Sequence, residues 1–175
     1  VSLGCTSVCV VRRPVVAILA TGDELLVLGQ PLKPGKLFNS NSYALAAAVR
    51  CAGGIPLLLG IARDDVQDTH RKLEEGLESD VVITSAGVSR GAYDMVKQAI
   101  SDRGRIAFWS VRMRPAKPIA FGVLYGPQGR EVPHLGLPGN PVSALVAFEE
   151  LGRPALLKMM GRTRWARPMV KAVLE

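Results

Sequence analysis

Three segments of this chain combine glycine, hydroxyl side chains and acids in the way an anion-binding site does. They are Thr21-Gly22-Asp23-Glu24-Leu25, the stretch from Thr84-Ser85-Ala86-Gly87 through Ser89 and Gly91 to Asp94, and Leu137-Pro138-Gly139-Asn140-Pro141-Val142-Ser143-Ala144. Glycine lets a backbone approach a ligand closely and take a positive φ. Gly87 and Gly91, followed by a helix start and flanked by the hydroxyls of Ser85 and Ser89, suit a cradle of N–H groups around a phosphate. The same residues also suit an ordinary turn, and the loop is neither a Walker loop nor a GxGxxG fingerprint. In the third segment Asn140 stands at an N-cap position and Pro141 at the first helical position. The N–H groups of Val142 and Ser143 are expected to face whatever lies over that helix end, although a plain strand-to-helix connection would read the same way.

Asp23, Glu24 and Asp94 are the acids nearest these loops. Carboxylates beside a phosphate repel it unless a divalent cation lies between them, and magnesium commonly bridges one or two carboxylates to phosphate oxygens. Asp94 also fits a helix N-cap, and Asp23 or Glu24 a solvated loop acid. A cationic segment, Arg112-Met113-Arg114-Pro115-Ala116-Lys117-Pro118, follows. Alternation predicts Arg112 and Arg114 on one face of a strand, with Lys117 held between two prolines. Together they suit an oxyanion, or simply a solvated basic turn. His70 falls on the apolar stripe of a helix and reads as a core or boundary residue. His134 has no acid or nucleophile partner by spacing, so neither histidine supports a Ser–His–Asp site. Cys51, near a helix end, is expected to pack.

These loops need strands and helices to position them. Val15 to Ala20 is an unbroken apolar run, as in a strand covered on both faces. A turn-rich stretch follows, and Asn39 or Ser40 caps a helix to about Cys51. Ile55 to Ile61 is a second strand. Asp64 or Asp65 caps a helix whose Val66, His70, Leu73 and Leu77 recur at helical spacing. Val81 to Thr84 is a short buried strand, and a helix runs from about Asp94 to Arg103. Strands are predicted at 106–113, 119–125 and 132–137, and one long helix from Asn140-Pro141 to about Met160. The pattern predicts an α/β fold, with strand–helix alternation giving a largely parallel sheet and the later strands an antiparallel portion. If the strands ending at 21, 84 and 137 are parallel, their loops share one rim, where ligands bind in open α/β sheets.

Length and composition bound the possibilities. The chain has 175 residues, 48% of them hydrophobic and 21% charged, which excludes a disordered tail. No apolar run approaches the ~18–20 residues of a membrane span. Three cysteines and two histidines, without a CxxC pair, offer little for zinc and fit a reduced, intracellular compartment, read here as cytoplasmic. The net charge is +7, but the excess lies at the ends: +2 within 1–14 and +5 within 153–175, with fourteen residues of each sign between. That distribution argues against a nucleic-acid surface. The opening Val1 reads as a piece of a longer protein, with 1–14 as a linker, 15–160 as the α/β domain and 161–175 as the start of a further, incomplete β domain.

Taken together, TGDEL at 21–25, NSN at 39–41, DD at 64–65, TSAGVSRGAYD at 84–94, MRPAKP at 113–118 and LPGNPVSA at 137–144 resemble the molybdopterin-binding domain of molybdopterin molybdenumtransferase. This is the MoeA type, which includes the E domain of gephyrin. The resemblance implies a three-layer α/β/α domain with a mostly parallel mixed sheet, and a homodimer at full length. The implied activity is insertion of molybdate into adenylylated molybdopterin with release of AMP, dependent on magnesium. Glu24 and Asp94 match positions of functional, metal-binding acids. Arg114 and Lys117 match a Lys-Pro-Gly-Lys-Pro pattern associated with molybdate. Thr21, Gly22, Ser85, Gly87, Ser89, Gly91, Pro138, Gly139, Asn140 and Ser143 match the ligand-binding loops.

The chain also departs from the pattern. Ala86 replaces the second glycine of TSGG, Ala92 an acid, and Arg90 a small or apolar residue. Arg114 and Ala116 replace Lys and Gly, so a planar guanidinium stands where an ammonium is expected. Two other readings remain: the related adenylyltransferase that makes the nucleotide, and a pterin-binding or scaffold module without turnover.

Overall fold

The computed structural model describes residue 2, residues 4–86 and residues 93–171; at 93–96, 108 and 109 it describes the backbone alone. Eight strands alternate with helices at first and then run consecutively. They are β1 (Val15–Thr21), β2 (Leu25–Leu26), β3 (Leu37–Phe38), α1 (Asn41–Cys51), β4 (Ile55–Ala62), α2 (Val66–Gly76), β5 (Val81–Ser85), α3 (Tyr93–Ser101), β6 (Gly104–Ser110), β7 (Pro118–Tyr125), β8 (Glu131–Leu137), α4 (Pro141–Ala147) and α5 (Arg153–Met159). Six strands form one sheet in the order β4-β1-β5-β8-β7-β6. β4, β1, β5 and β8 are mutually parallel, and β7 is antiparallel to both of its neighbours.

The continuous apolar runs have their expected consequence. β1 and β5 lie inside the sheet, and Val16 to Leu19 and Val82 are fully buried. One core cluster sets Val16, Ile18, Ile83 and Leu137 against Leu45 and Val49 of α1, Ala144 and Ala147 of α4, and Leu156 of α5. The other sets Ala17, Leu19, Val82 and Val132 against Leu73 of α2 and Ile100 of α3. Alternate residues of the same strands feed opposite clusters, which makes three layers, α/β/α. No helix among the described residues is long and apolar enough to cross a membrane.

Several helix ends follow the expected chemistry. The Asp65 side chain accepts from the Asp68 N–H, and the Asn39 side chain accepts from the Ser42 N–H at 3.2 Å. The expected long C-terminal helix runs from Pro141 to Met159, widening to a π-type turn at Phe148–Gly152 just before Pro154. Two expectations are corrected. Cys51 is exposed, not packed. β6 ends at Ser110, so Arg112 and Arg114 lie in a loop and not on one strand face. That loop is closed by the Val111 N–H donating to the Lys117 carbonyl at 2.8 Å, and Ala116 turns inward and is buried. Residues 1–14 carry no helix or strand among those described, yet they are tethered. Arg12 forms a fork on Asp80, and Arg13 donates to the carbonyls of Gly53 and Gly54.

Candidate functional site

β1, β5 and β8 are adjacent and parallel, and they end at one level. Thr21 pairs with Ala62, Ala20 with Ser85, and Ser85 with Leu137. Their C-terminal ends therefore lie on one rim, as the strand pattern required. A fourth loop joins them. Because β7 runs antiparallel to β8 with Ala120 opposite Gly136, the 111–117 segment before β7 lies at the same end of the sheet. Arg112, Arg114 and Lys117 are all exposed there.

The first loop is fixed by backbone. The Gly22 N–H donates to the Ala62 carbonyl at 3.2 Å, and its φ is +136°. At that φ an L side chain would be strained, which favours glycine, and the flexible Glu24 carboxylate folds back over Gly22. Glu24 itself is exposed and has no ion-pair partner among the described residues. Asp23 and Asp64 exchange contacts, each backbone N–H facing the other's carboxylate at 3.3 and 3.4 Å. The short β2–β3 clip then returns the chain, with the Leu37 N–H on the Glu24 carbonyl and the Asn39 N–H on the Leu26 carbonyl. Lys36 Nζ donates to the Asp23 carbonyl. With Lys33 and Arg63 it lines a cavity of about 300 Å³ beside this acid loop.

Thr21 and Ser85 are buried at the ends of β1 and β5, with the Thr21 hydroxyl 3.5 Å from the Ser85 carbonyl. Ala86 follows with φ +76°, its N–H donating to the Leu137 carbonyl at 3.0 Å. Gly87, Ser89 and Gly91 lie outside the described residues. Asp94 is placed by its backbone in the first turn of α3, at the same sheet end. In the third loop Pro138 is buried and Gly139 and Asn140 are exposed. Asn140 caps α4 by accepting from the Ser143 N–H at 3.1 Å and the Ser143 hydroxyl at 3.3 Å. The Ser143 N–H is therefore occupied and does not face a ligand as expected. The cap satisfies one orphan donor of the helix end and takes it out of service.

One residue missing from the candidate set joins these loops. Asn41, the first residue of α1, donates from Nδ2 to Ser85 Oγ at 2.9 Å and to the Gly139 carbonyl at 2.8 Å. Its Oδ1 is buried without a donor. The only sequence signal was the second asparagine of the NSN segment.

His134 sits deep in β8, fully buried, with Nε2 3.0 Å from the Thr84 hydroxyl. Burial pushes its imidazole down to about 3, so it is neutral at physiological pH. Its Nδ1 has no partner among the described residues, so none of their carboxylates orients it as a general base. A cavity of about 620 Å³ lies elsewhere, lined by Ile119, Phe121, Leu135, Leu151 and Trp165 among others. Its lining is largely apolar and suits no anionic ligand.

Oxygen donors at the rim, Asp23, Glu24 and Asp64, are the hard ligands that magnesium prefers, and Glu24 pairs with no cation among the described residues. No group of three His, Cys, Asp or Glu side chains among the described residues forms a complete metal cage.

Residues 17–158 match the family described as a probable molybdopterin binding domain. A molybdopterin molybdenumtransferase from Nostoc sp. is 42% identical over 94% of this chain and 38% of its own length. Molybdopterin molybdenumtransferase 2 of Mycobacterium tuberculosis is 41% identical over 99% of this chain and 43% of its own length. The chain thus spans about two fifths of these relatives. A solved MoeA protein from Pyrococcus horikoshii superposes with TM-score 0.74 at 35% identity, covering 86% of this chain and 36% of that one. MoaB from Thermus thermophilus superposes at 0.61 with 19% identity, a likeness of fold alone, over 87% of this chain and 99% of that one.

Proposed function

Because the chain belongs to the molybdopterin-binding domain family and its relatives are of the MoeA type, we propose that it is the pterin-nucleotide-binding part of a molybdopterin molybdenumtransferase in molybdenum cofactor biosynthesis. The observation that supports this most is that β1, β5 and β8 end, and the 111–117 loop lies, at one end of the sheet, with the exposed Glu24 on the β1 side and Arg112, Arg114 and Lys117 on the β7 side.

In this reading the loops after β5 and β8 hold adenylylated molybdopterin. Ser85, Gly87, Ser89, Gly91, Pro138, Gly139, Asn140 and Ser143 are in contact with it, and Thr21 and Gly22 form the floor. Glu24 and Asp94 position the phosphoanhydride and would hold magnesium, which when bound neutralises phosphate charge. Arg114 and Lys117 neutralise the substrate molybdate by pairing with its oxygens. A water or molybdate oxygen attacks the phosphoanhydride and AMP leaves. The full-length protein works as a homodimer in the cytoplasm, without nucleic acid or a membrane span.

The test is single-turnover AMP release by the full-length parent from adenylylated molybdopterin, with and without molybdate and magnesium. Glu24→Ala and Asp94→Ala should abolish release while sparing binding. Unchanged rates in both variants would remove these acids from the chemistry. A binding module without turnover is a second reading, supported by the Ala86 methyl standing at the mouth of the rim. Tight nucleotide binding without AMP release in the parent would favour it.

A further inference from the structure

Asn41 joins three elements that the sheet alone does not hold together. Its Nδ2 spans to Ser85, the last residue of β5, and to Gly139, just before the cap of α4. A side-chain amide nitrogen has two hydrogens, and both are used. Its oxygen is buried and accepts nothing among the described residues. Rotating the amide would set Oδ1 against the Gly139 carbonyl, oxygen to oxygen, so the observed orientation is the one the loops impose. The side chain thus leaves its own acceptor unmatched while it ties two loops to the start of α1. Buried polar atoms are almost always satisfied, so an orphan one calls for an explanation.

We propose that Asn41 is a positioning residue of the rim, holding Ser85 and Gly139 at the separation that the bound pterin nucleotide requires. This rests on the reading of the rim as the nucleotide site. Aspartate has nearly the same shape but, ionised, it only accepts. It would face the Gly139 carbonyl with negative charge beside an anionic ligand. Alanine removes both donors and adds no charge.

The experiment compares the full-length parent with its Asn41→Ala and Asn41→Asp variants. Affinity for adenylylated molybdopterin is measured by calorimetry from pH 5 to 8, alongside amide hydrogen exchange without ligand. Asn41→Ala should weaken binding on the order of tenfold, the scale of one lost net hydrogen bond. Asn41→Asp should bind more weakly than Asn41→Ala at pH 8 and recover as the pH falls, because a protonated carboxyl regains one donor. The unaltered protein should lack that recovery. Without ligand, amides of 137–144 should exchange faster in both variants.

A side chain that merely fills space would leave exchange across 137–144 unchanged in Asn41→Asp, whatever its charge does to binding. Unchanged exchange there therefore overturns the proposal, as does wild-type affinity of Asn41→Asp at pH 8. If the unaltered parent binds no nucleotide, the functional reading fails by itself, and the exchange measurement alone then decides whether Asn41 holds the loops.

Discussion

Ala86 and Gly139 face each other across the mouth of the rim: a Cβ built on Gly139 would stand 3.3 Å from the Ala86 methyl. Ala86 holds φ +76°, a left-handed conformation that suits glycine, so its methyl both strains the backbone and occupies the gap. Ala86→Gly should therefore stabilise the protein. Release of roughly 1–2 kcal/mol of left-handed strain outweighs about 0.4–1 kcal/mol of unfolded-state entropy. Urea unfolding checks this, and a lower midpoint would mean that the methyl packs usefully.

Ala116 has φ +78° as well, but it is 3% exposed. Losing its methyl gives up about 0.8 kcal/mol of buried surface and adds about 0.4–1 kcal/mol of unfolded-state entropy, which together offset the relief of strain. Ala116→Gly should thus fall within about 0.5 kcal/mol of the parent by the same unfolding measurement.

Gly139→Ala should cost up to about 1 kcal/mol, because the Ala86 methyl, 3.3 Å from the added one, must give way slightly. In an Ala86→Gly background much of that cost should disappear. A double-mutant cycle reads the coupling, expected at about 0.5 kcal/mol or more, and strict additivity would show that the two methyls never meet.

His134 gives the protein an acid-side dependence of stability. Its folded pKa, about 3, lies below the unfolded value of 6.5. Between these values the unfolded chain binds more protons, so stability rises with pH across that window and is fully present above it. The slope approaches about 1.4 kcal/mol per pH unit in the middle of the window. His134→Gln, which keeps a partner for Thr84, should flatten that slope. An unaltered pH profile would exclude His134 as its source.

Asp80 works on the same side of the scale. The Arg12 fork, with the Val15 N–H, holds its carboxyl below the usual range. That stabilisation exists above the unfolded pKa near 3.8 and fades as pH falls through the lower folded value. Asp80→Asn should lose it and release the 1–14 segment, read as faster proteolysis near Arg12 at neutral pH. Unchanged cleavage there would mean that Arg13 suffices as the tether.

The parts of the fold visible in the residues were those set by local chemistry. β1 and β5 were legible because a short apolar run with no alternation has to be covered on both faces. Asp65 and Asn140 were legible because a capping side chain acts within three residues. The shared rim followed from parallel strands. The end of β6 was not legible, since Val111 and Met113 alternate with arginines like a strand yet fold into a loop closed by Lys117. Nor was the π turn, a local widening inside a helix that otherwise runs as expected. Asn41 was invisible because its partners lie 44 and 98 residues away.

β8, the last strand among the described residues, is inserted between β5 and β7, which precede it in sequence. During synthesis the sheet is therefore two separate pieces with open inner edges until residues 131–137 emerge and close the seam. The pocket and the completed sheet come into being in one event. A ribosome that stalls before residue 131 releases no half-working version of this domain, only a product with two exposed strand edges that is prone to aggregate and a substrate for chaperones.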